Sequence, residues 1–186
     1  MSNAEQIAKT YLNLSEDSRM QITQLKAGDT SHAAAFILAK EGGLNNAKAW
    51  LLPGATRDEQ KPLPNVVIRG NVSTAMTLNP DFAQVTLGYE FAANVPLGAP
   101  PSTTPIVWTR GLRSDGAWAP DSPWQGKGGH IAFMDGHVRW FDKLSTASGE
   151  DSLVKYGTTT PTANIREALP PGAVILSAVP KQAAGR

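Results

Sequence analysis

The sequence predicts an α+β fold, with N-terminal helices packed on one face of an antiparallel β-sheet and long loops between the strands. Three observations lead there. Helical signals crowd the first fifty residues, where Ile7, Tyr11 and Leu14 recur at i, i+4 and i+7 as one apolar stripe. From Asn65 onward, β-branched and aromatic residues come in short runs bounded by Pro, Gly and Asn. The stretch GGHIAFMDGHVRWF, residues 128–141, then sets an Asp-Gly pair between two apolar runs, the strongest short-range hairpin signal.

Taken in order, the elements are these. MSNA, residues 1–4, reads as an expression scar outside the fold. Residues 5–176 read as one domain, and 177–186 as a flexible C-terminal tail. A scar followed directly by an amphipathic helix suggests that an upstream segment, typically a membrane anchor, has been removed. Ser15 can cap a second helical turn whose Glu16 and Asp17 suit a helix N-terminus, so the first helix bends or breaks there. Ser31 caps HAAAFILAKE, which Gly42 and Gly43 terminate. Trp50, Leu51 and Leu52 form a short buried segment, and GATRDEQKPLP, residues 54–64, an exposed loop. NVVIRGNVS, QVTLGYEFAAN and PIVWTRGL read as strands. The Pro-rich stretch 95–105 and the stretch APDSPWQGKGG read as irregular connections, and RSDGAW offers a second Asp-Gly turn at Asp115 and Gly116. NIREALPPGAVIL reads as a last short helix or strand.

Composition bounds the function. The chain has 186 residues, 41% of them apolar, with five Trp and five Phe, enough to bury a core. The net charge is +1, without a run of Lys or Arg, which argues against nucleic acid or an anionic membrane surface as partner. Cysteine is absent, which excludes disulfides, zinc–thiolate sites and cysteine nucleophiles.

The hairpin decides whether its two histidines form a site. With a two-residue type I′ loop at Asp135 and Gly136, Met134 opposes His137, Phe133 opposes Val138 and Ile131 opposes Trp140. Ile131, Phe133, Val138 and Trp140 then share the core face behind the Gly128-Gly129 lead-in. His130 and His137 share the other face with Ala132, Met134, Arg139 and Phe141. They stand roughly 13 Å apart at about 3.3 Å per residue, and ligands of one ion must each lie within about 2 Å of it. The cluster is therefore read as a fold element, with Asp135 as its turn residue and no catalytic residue assigned.

Other enzyme signals are missing: there is no Gly-x-Ser-x-Gly elbow, His-Glu-x-x-His or phosphate loop. Ser31 and His32 read as a helix-start pair rather than nucleophile and base. No cofactor is assigned; the weaker metal reading is calcium on Asp115, Asp121 and Asp135, if their loops converge. Trp108 and Trp140 fall in strands and read as core. Trp118 and Trp124 fall in loops and read as an exposed pair that lines a sugar or peptide groove.

The stretch TPIVWTRGLRSDGAWAPDSPW, followed by GKGGHIAFMDGHVRWF, resembles the C-terminal region of bacterial type IV pilin-like and type II secretion pseudopilin-like proteins. The subgroup is prepilin-type, marked by a His, nine residues, then Asp-Gly. Gly-Gly, the apolar strand, Asp-Gly-His-Val and the aromatic all match between Gly128 and Trp140, whereas Gln125 stands where the subgroup has its His. HAAAFILAKEGGLNNAKAWLLPGA is similar to the mid-region of the same group, so the resemblance runs from about residue 30 to about residue 145.

The resemblance implies a non-enzymatic structural subunit, a pseudopilin or minor pilin. Its partners would be other such subunits and the secretion or pilus assembly machinery. Such proteins begin with a prepilin peptidase site and an apolar helix of about 20 residues, enough to cross a bilayer. Ile7, Tyr11 and Leu14 would lie in the soluble continuation of that helix. The implied location is the cell envelope, anchored to the inner membrane, with the soluble domain in the periplasm or on the cell surface. Some pseudopilins hold calcium in a C-terminal loop; none of their ligands maps onto this chain. The alternative is a membrane-tethered binding module for glycan or a host surface that uses the fold without polymerising, and it requires Trp118 and Trp124 to be exposed.

Overall fold

The computed structural model describes residues 2–52, 62–71, 74–147, 149 and 151–181. The predicted loop 54–64 falls outside these up to residue 61, as does the tail from residue 182.

The first 42 residues are largely helical for the reasons their sequence states. Helix α1 (Asn3–Leu12) buries Ala4, Ile7, Ala8 and Tyr11 along one face, and Leu14 just beyond it is buried too. The chain breaks at Ser15, whose hydroxyl accepts the Ser18 N–H and caps α2 (Glu16–Thr23). Helix α3 (Ser31–Gly42) ends on a left-handed Gly43. Its capping position is Thr30 rather than Ser31. Ser31 is instead the first helical residue, and its hydroxyl donates to Leu176 O at 2.9 Å, tying the helix to the C-terminal strand. Residues 2–4, read as lying outside the fold, belong to it. Ser2 Oγ caps α1 by accepting Glu5 N–H, Asn3 Nδ2 donates to Lys48 O at 3.0 Å, and Ala4 is fully buried.

The strands are β1 (Ile68–Asn71), β2 (Thr74–Leu78), β3 (Tyr89–Ala93), β4 (Pro105–Thr109), β5 (Gly129–Phe133) and β6 (Val138–Phe141). The short β7 (Leu153–Val154) and β8 (Pro161–Thr162) follow, then helix α4 (Ile165–Ala168) and β9 (Val174–Leu176). The C-terminal stretch read as helix or strand is thus both. Five strands form one antiparallel sheet in the order β6-β5-β4-β3-β9, and β1-β2 and β7-β8 form separate pairs. The fold is α+β.

Cross-strand partners share a face, so the register tells which side chains lie together. Phe91, Val107, Ala132 and Val138 form one row, and α1 covers that face through Tyr11, whose ring meets Phe91 edge-on at 5.7 Å. Glu90, Trp108, Ile131 and Arg139 form a row on the opposite face. There the C-terminal segment approaches, bringing the Arg166 charge within range of Glu90. The predicted tail is anchored at its start: Ser177 O accepts Ser31 N–H, Ala178 O accepts Leu87 N–H, and Ala178 is buried. Among the described residues no helix is long and apolar enough to cross a membrane.

Candidate functional site

Asp135 and Gly136 make the predicted turn, but the loop has three residues rather than two. Phe133 N–H donates to His137 O at 3.0 Å and Gly136 N–H to Phe133 O at 2.9 Å. Gly136 is left-handed at φ 87°, while Asp135 is not, so the geometry is a type I turn closed by a glycine bulge rather than type I′. The observed pairs are Ala132 with Val138, Ile131 with Arg139, His130 with Trp140 and Gly129 with Phe141. That register is one residue off the predicted one, and such a slip reverses every face of one strand relative to the other. Ile131 and Phe133 are buried as expected. Their aromatic partner on β6 is Phe141, Val138 is only half-buried, and Trp140, predicted as core, is 41% exposed. The two histidines lie on opposite faces, not on one.

Trp140 is held firmly despite its exposure. Its Nε1–H donates to Asp142 Oδ1 at 2.6 Å. The His130 ring meets it edge-on at 5.0 Å and the Trp124 ring at 5.9 Å. The indole also packs against Gly128, where a Cβ would come within 2.7 Å of Trp140 Cζ2. Trp124 Nε1 and His130 Nδ1 are buried and have no hydrogen-bond partner among the described residues. Both rings stand roughly perpendicular to the Trp140 indole. Trp124 lies within a tight turn in which Gln125 N–H donates to Ser122 O, and Gln125 itself is left-handed at φ 54°, an uncommon conformation for a non-glycine residue.

The exposed pair predicted at Trp118 and Trp124 is corrected. Trp118 is 3% exposed; its indole occupies the space a Gly129 side chain would take, and its Nε1–H donates to Thr109 O at 3.3 Å. Trp124 is half-buried. Trp108 is core as predicted, with its Nε1–H donating to Glu90 Oε2 at 2.8 Å. Burial pushes the Glu90 carboxyl above its ordinary range, against the opposing pull of the Trp108 hydrogen bond and of Arg110 and Arg166.

The three histidines occupy three settings. His32 is buried, with Nε2 2.9 Å from Val85 O, Nδ1 3.1 Å from Thr30 Oγ1 and its ring against Phe82. With Nε2–H donating and Nδ1 accepting, both nitrogens of the neutral ring are satisfied, and desolvation holds its pKa below the ordinary value. It does not contact Ser31 Oγ, which is committed to Leu176. Desolvation likewise lowers the pKa of His130. His137 stacks on Phe133 at 4.3 Å, with Nδ1 2.5 Å from Asp135 Oδ1.

The aspartates weighed for calcium do not converge. Asp115 pairs with Arg113 at 2.8 Å, Asp121 lies 4.0 Å from Arg110, and Asp135 holds His137. Among the described residues no three His, Asp or Glu side chains come together as a metal site. Two clefts of about 390 Å³ each carry both signs of charge, one lined by Arg166 and Glu167, the other by Asp115, Lys143 and Asp151. An apolar groove of about 490 Å³ runs between α3 and β2, lined by Leu25, Phe36, Ile37, Met76 and Leu78, without a titratable group.

Among the described residues, Trp140, Trp124 and His130 form an exposed aromatic corner, of which sequence reasoning read only Trp124 as a binding residue. One signal could have found it. Adjacent aromatics on a strand face opposite ways, so Gly129 opposite a buried Phe141 turns Trp140 outward. In comparisons with protein-family models, curated proteins and solved structures, the chain has no match.

Proposed function

We propose that the chain is the soluble domain of a pilin-like filament subunit, a pseudopilin or minor pilin of a type II secretion or type IV pilus-like system. The observation that carries this reading is the pairing of two features in one unit. An amphipathic first helix lies across an antiparallel sheet through Tyr11 and Phe91, and the sheet ends in the Gly-Gly, Asp-Gly-His-Val hairpin that resembles the prepilin-type group. In this reading the role is mechanical and non-enzymatic. An apolar helix preceding α1 anchors the subunit in the inner membrane, the domain stands in the periplasm or at the cell surface, and the partners are other subunits and the assembly machinery. Loops set partner choice, as exposed loops on a rigid scaffold commonly do.

Mass spectrometry of the N-terminus of the native protein, isolated from the cell envelope, tests it. A processed, N-methylated residue followed by about 20 apolar positions is the expected result. An unprocessed start close to Met1, with the protein in the soluble fraction, would overturn it.

A further inference from the structure

We propose that two copies of the chain associate through β2, whose free edge pairs antiparallel with itself about a two-fold axis at Thr77. This goes beyond the subunit reading and does not rest on it.

The backbone of β2 points outward at the right places. Asn79 N–H donates to Val67 O at 2.8 Å, and Thr77 stands opposite Arg69 in the same register. Alternate residues of an antiparallel strand turn their N–H and C=O groups to opposite sides. Asn79 and Thr77 therefore turn theirs to β1, and Leu78 turns its own away. Met76 follows Leu78, because the two are half-buried on one face while Ala75 and Thr77 are exposed on the other. β2 pairs with β1 alone, and no other backbone group among the described residues bonds to it. The strand TAMTL carries no charge or proline to guard this edge. The slip in its ladder lies toward the hairpin tip, between Arg69 and Asn71. By contrast, β6 carries Arg139, and on β9 the Leu176 carbonyl is taken by the Ser31 hydroxyl.

The apolar groove marks the same side. Met76, Thr77 and Leu78 line it and none of the described residues of β1 does, so it follows the open edge, with Leu25, Phe36 and Ile37 as its far wall. Its occupant must be an extended strand with apolar side chains at alternate positions and free backbone groups at the same spacing. β2 is itself such a strand. With the axis at Thr77, Met76 of one copy faces Leu78 of the other, and each such pair exchanges both backbone hydrogen bonds. The outward groups are then satisfied. Cross-strand partners share a face, so the second copy's Met76 and Leu78 enter the groove. Two hairpins become one sheet in the order β1-β2-β2-β1, and a sheet of more than two strands with an apolar face is the more stable form.

The chain has no cysteine, so single introduced cysteines report the register. At the axis, Thr77 and its copy form a non-hydrogen-bonded pair with Cα atoms about 4.5 Å apart, within reach of a disulfide. Ala75 and its copy stand four residue steps apart along the strand, roughly 13 Å at about 3.3 Å per step, too far to bridge.

Sedimentation of the whole chain from about 10 μM to about 1 mM, the range of weak self-association, should show monomer and a growing share of dimer. Thr77→Lys sets like charges opposite each other and should weaken the dimer at least tenfold. With oxidised glutathione as oxidant, Thr77→Cys should give a covalent dimer, and Ala75→Cys at least tenfold less of it. Both positions are exposed, and circular dichroism confirms that each variant is folded. A chain that stays monomeric at the highest concentration, a dimer that folded Thr77→Lys leaves unchanged, equal crosslinking at the two positions, or open-ended oligomers would each overturn the proposal.

Discussion

The chain makes the same turn twice and uses it to opposite ends. At Asp115-Gly116, Arg113 N–H donates to Ala117 O and Gly116 N–H to Arg113 O; at Asp135-Gly136, Phe133 N–H donates to His137 O and Gly136 N–H to Phe133 O. In both, the aspartate Oδ1 accepts the N–H two residues on, and the glycine is left-handed. A tryptophan follows each. Trp118 is core and Trp140 is surface. The turns cannot account for the difference, because they are alike; the cover does. Gly116 is closed over by Leu144 and Ala163, and Trp118 lies in the space left open at Gly129. Gly136 meets only the end of the Leu12 side chain. Local chemistry sets the shape of such a unit, and the rest of the chain decides whether its aromatic becomes core or surface.

The largest expected effect separates the two tryptophans. Trp118→Ala removes an enclosed indole and should cost about 4 kcal/mol, whereas Trp140→Ala removes a partly exposed indole with its ring contacts and its bond to Asp142 and should cost about 2 kcal/mol. Urea unfolding of the two variants measures this, and equal costs would break the comparison. The glycines come next. Gly116→Ala combines a left-handed alanine with a Cβ 2.6 Å from Leu144 O and should cost about 3 kcal/mol. Gly136→Ala carries mainly the backbone term, about 1 kcal/mol, in the same assay. A larger loss at Gly136 would mean that the exposed tip, not the covered one, is the more constrained.

The smallest effect sharpens the contrast between covered and open sites through pH. His32 and His130 both have folded-state pKa values held below the ordinary 6.5 by desolvation. A lowered folded-state pKa means that the unfolded chain takes up the proton first. The stabilisation is therefore complete above pH 6.5 and is lost as pH falls from there through the lowered folded values. The melting temperature should fall as the pH drops below about 6.5. His32→Gln should remove more of that fall than His130→Gln, because His32 is enclosed on all sides while His130 borders solvent. The reverse order would place the acid-sensitive point at the hairpin.

The sequence shows some of this plainly and hides the rest for identifiable reasons. The Ile7, Tyr11 and Leu14 stripe and the Gly42-Gly43 stop are periodic and local signals, and both were legible. The strand Thr74–Leu78 was not, since TAMTL lacks a clear alternation. The hairpin was legible as a hairpin, but not its register. A left-handed glycine serves a type I′ turn and a bulged type I turn equally, and the Asp-Gly pair does not distinguish them. That single residue of ambiguity moved Trp140 from the core to the surface and hid most of the candidate site. Burial of Trp118 was illegible for a different reason: it depends on the space left at Gly129, on strand β5, which only the fold brings against the indole.

The strand order carries a last consequence, for how the chain folds. Strand β3 is flanked by β4 and by β9, and Phe91 pairs with Leu176 across more than eighty residues. A chain emerging N-terminus first can therefore form β3 to β6 as a run of neighbours, while the far edge of β3 waits for nearly the whole polypeptide. Until β9 arrives, that edge is an open template for a foreign strand. The anchoring of Ser31 to Leu176 and Ser177 is then the closing latch, engaged last, and a nascent or clipped chain that ends before it is the form most prone to aggregate.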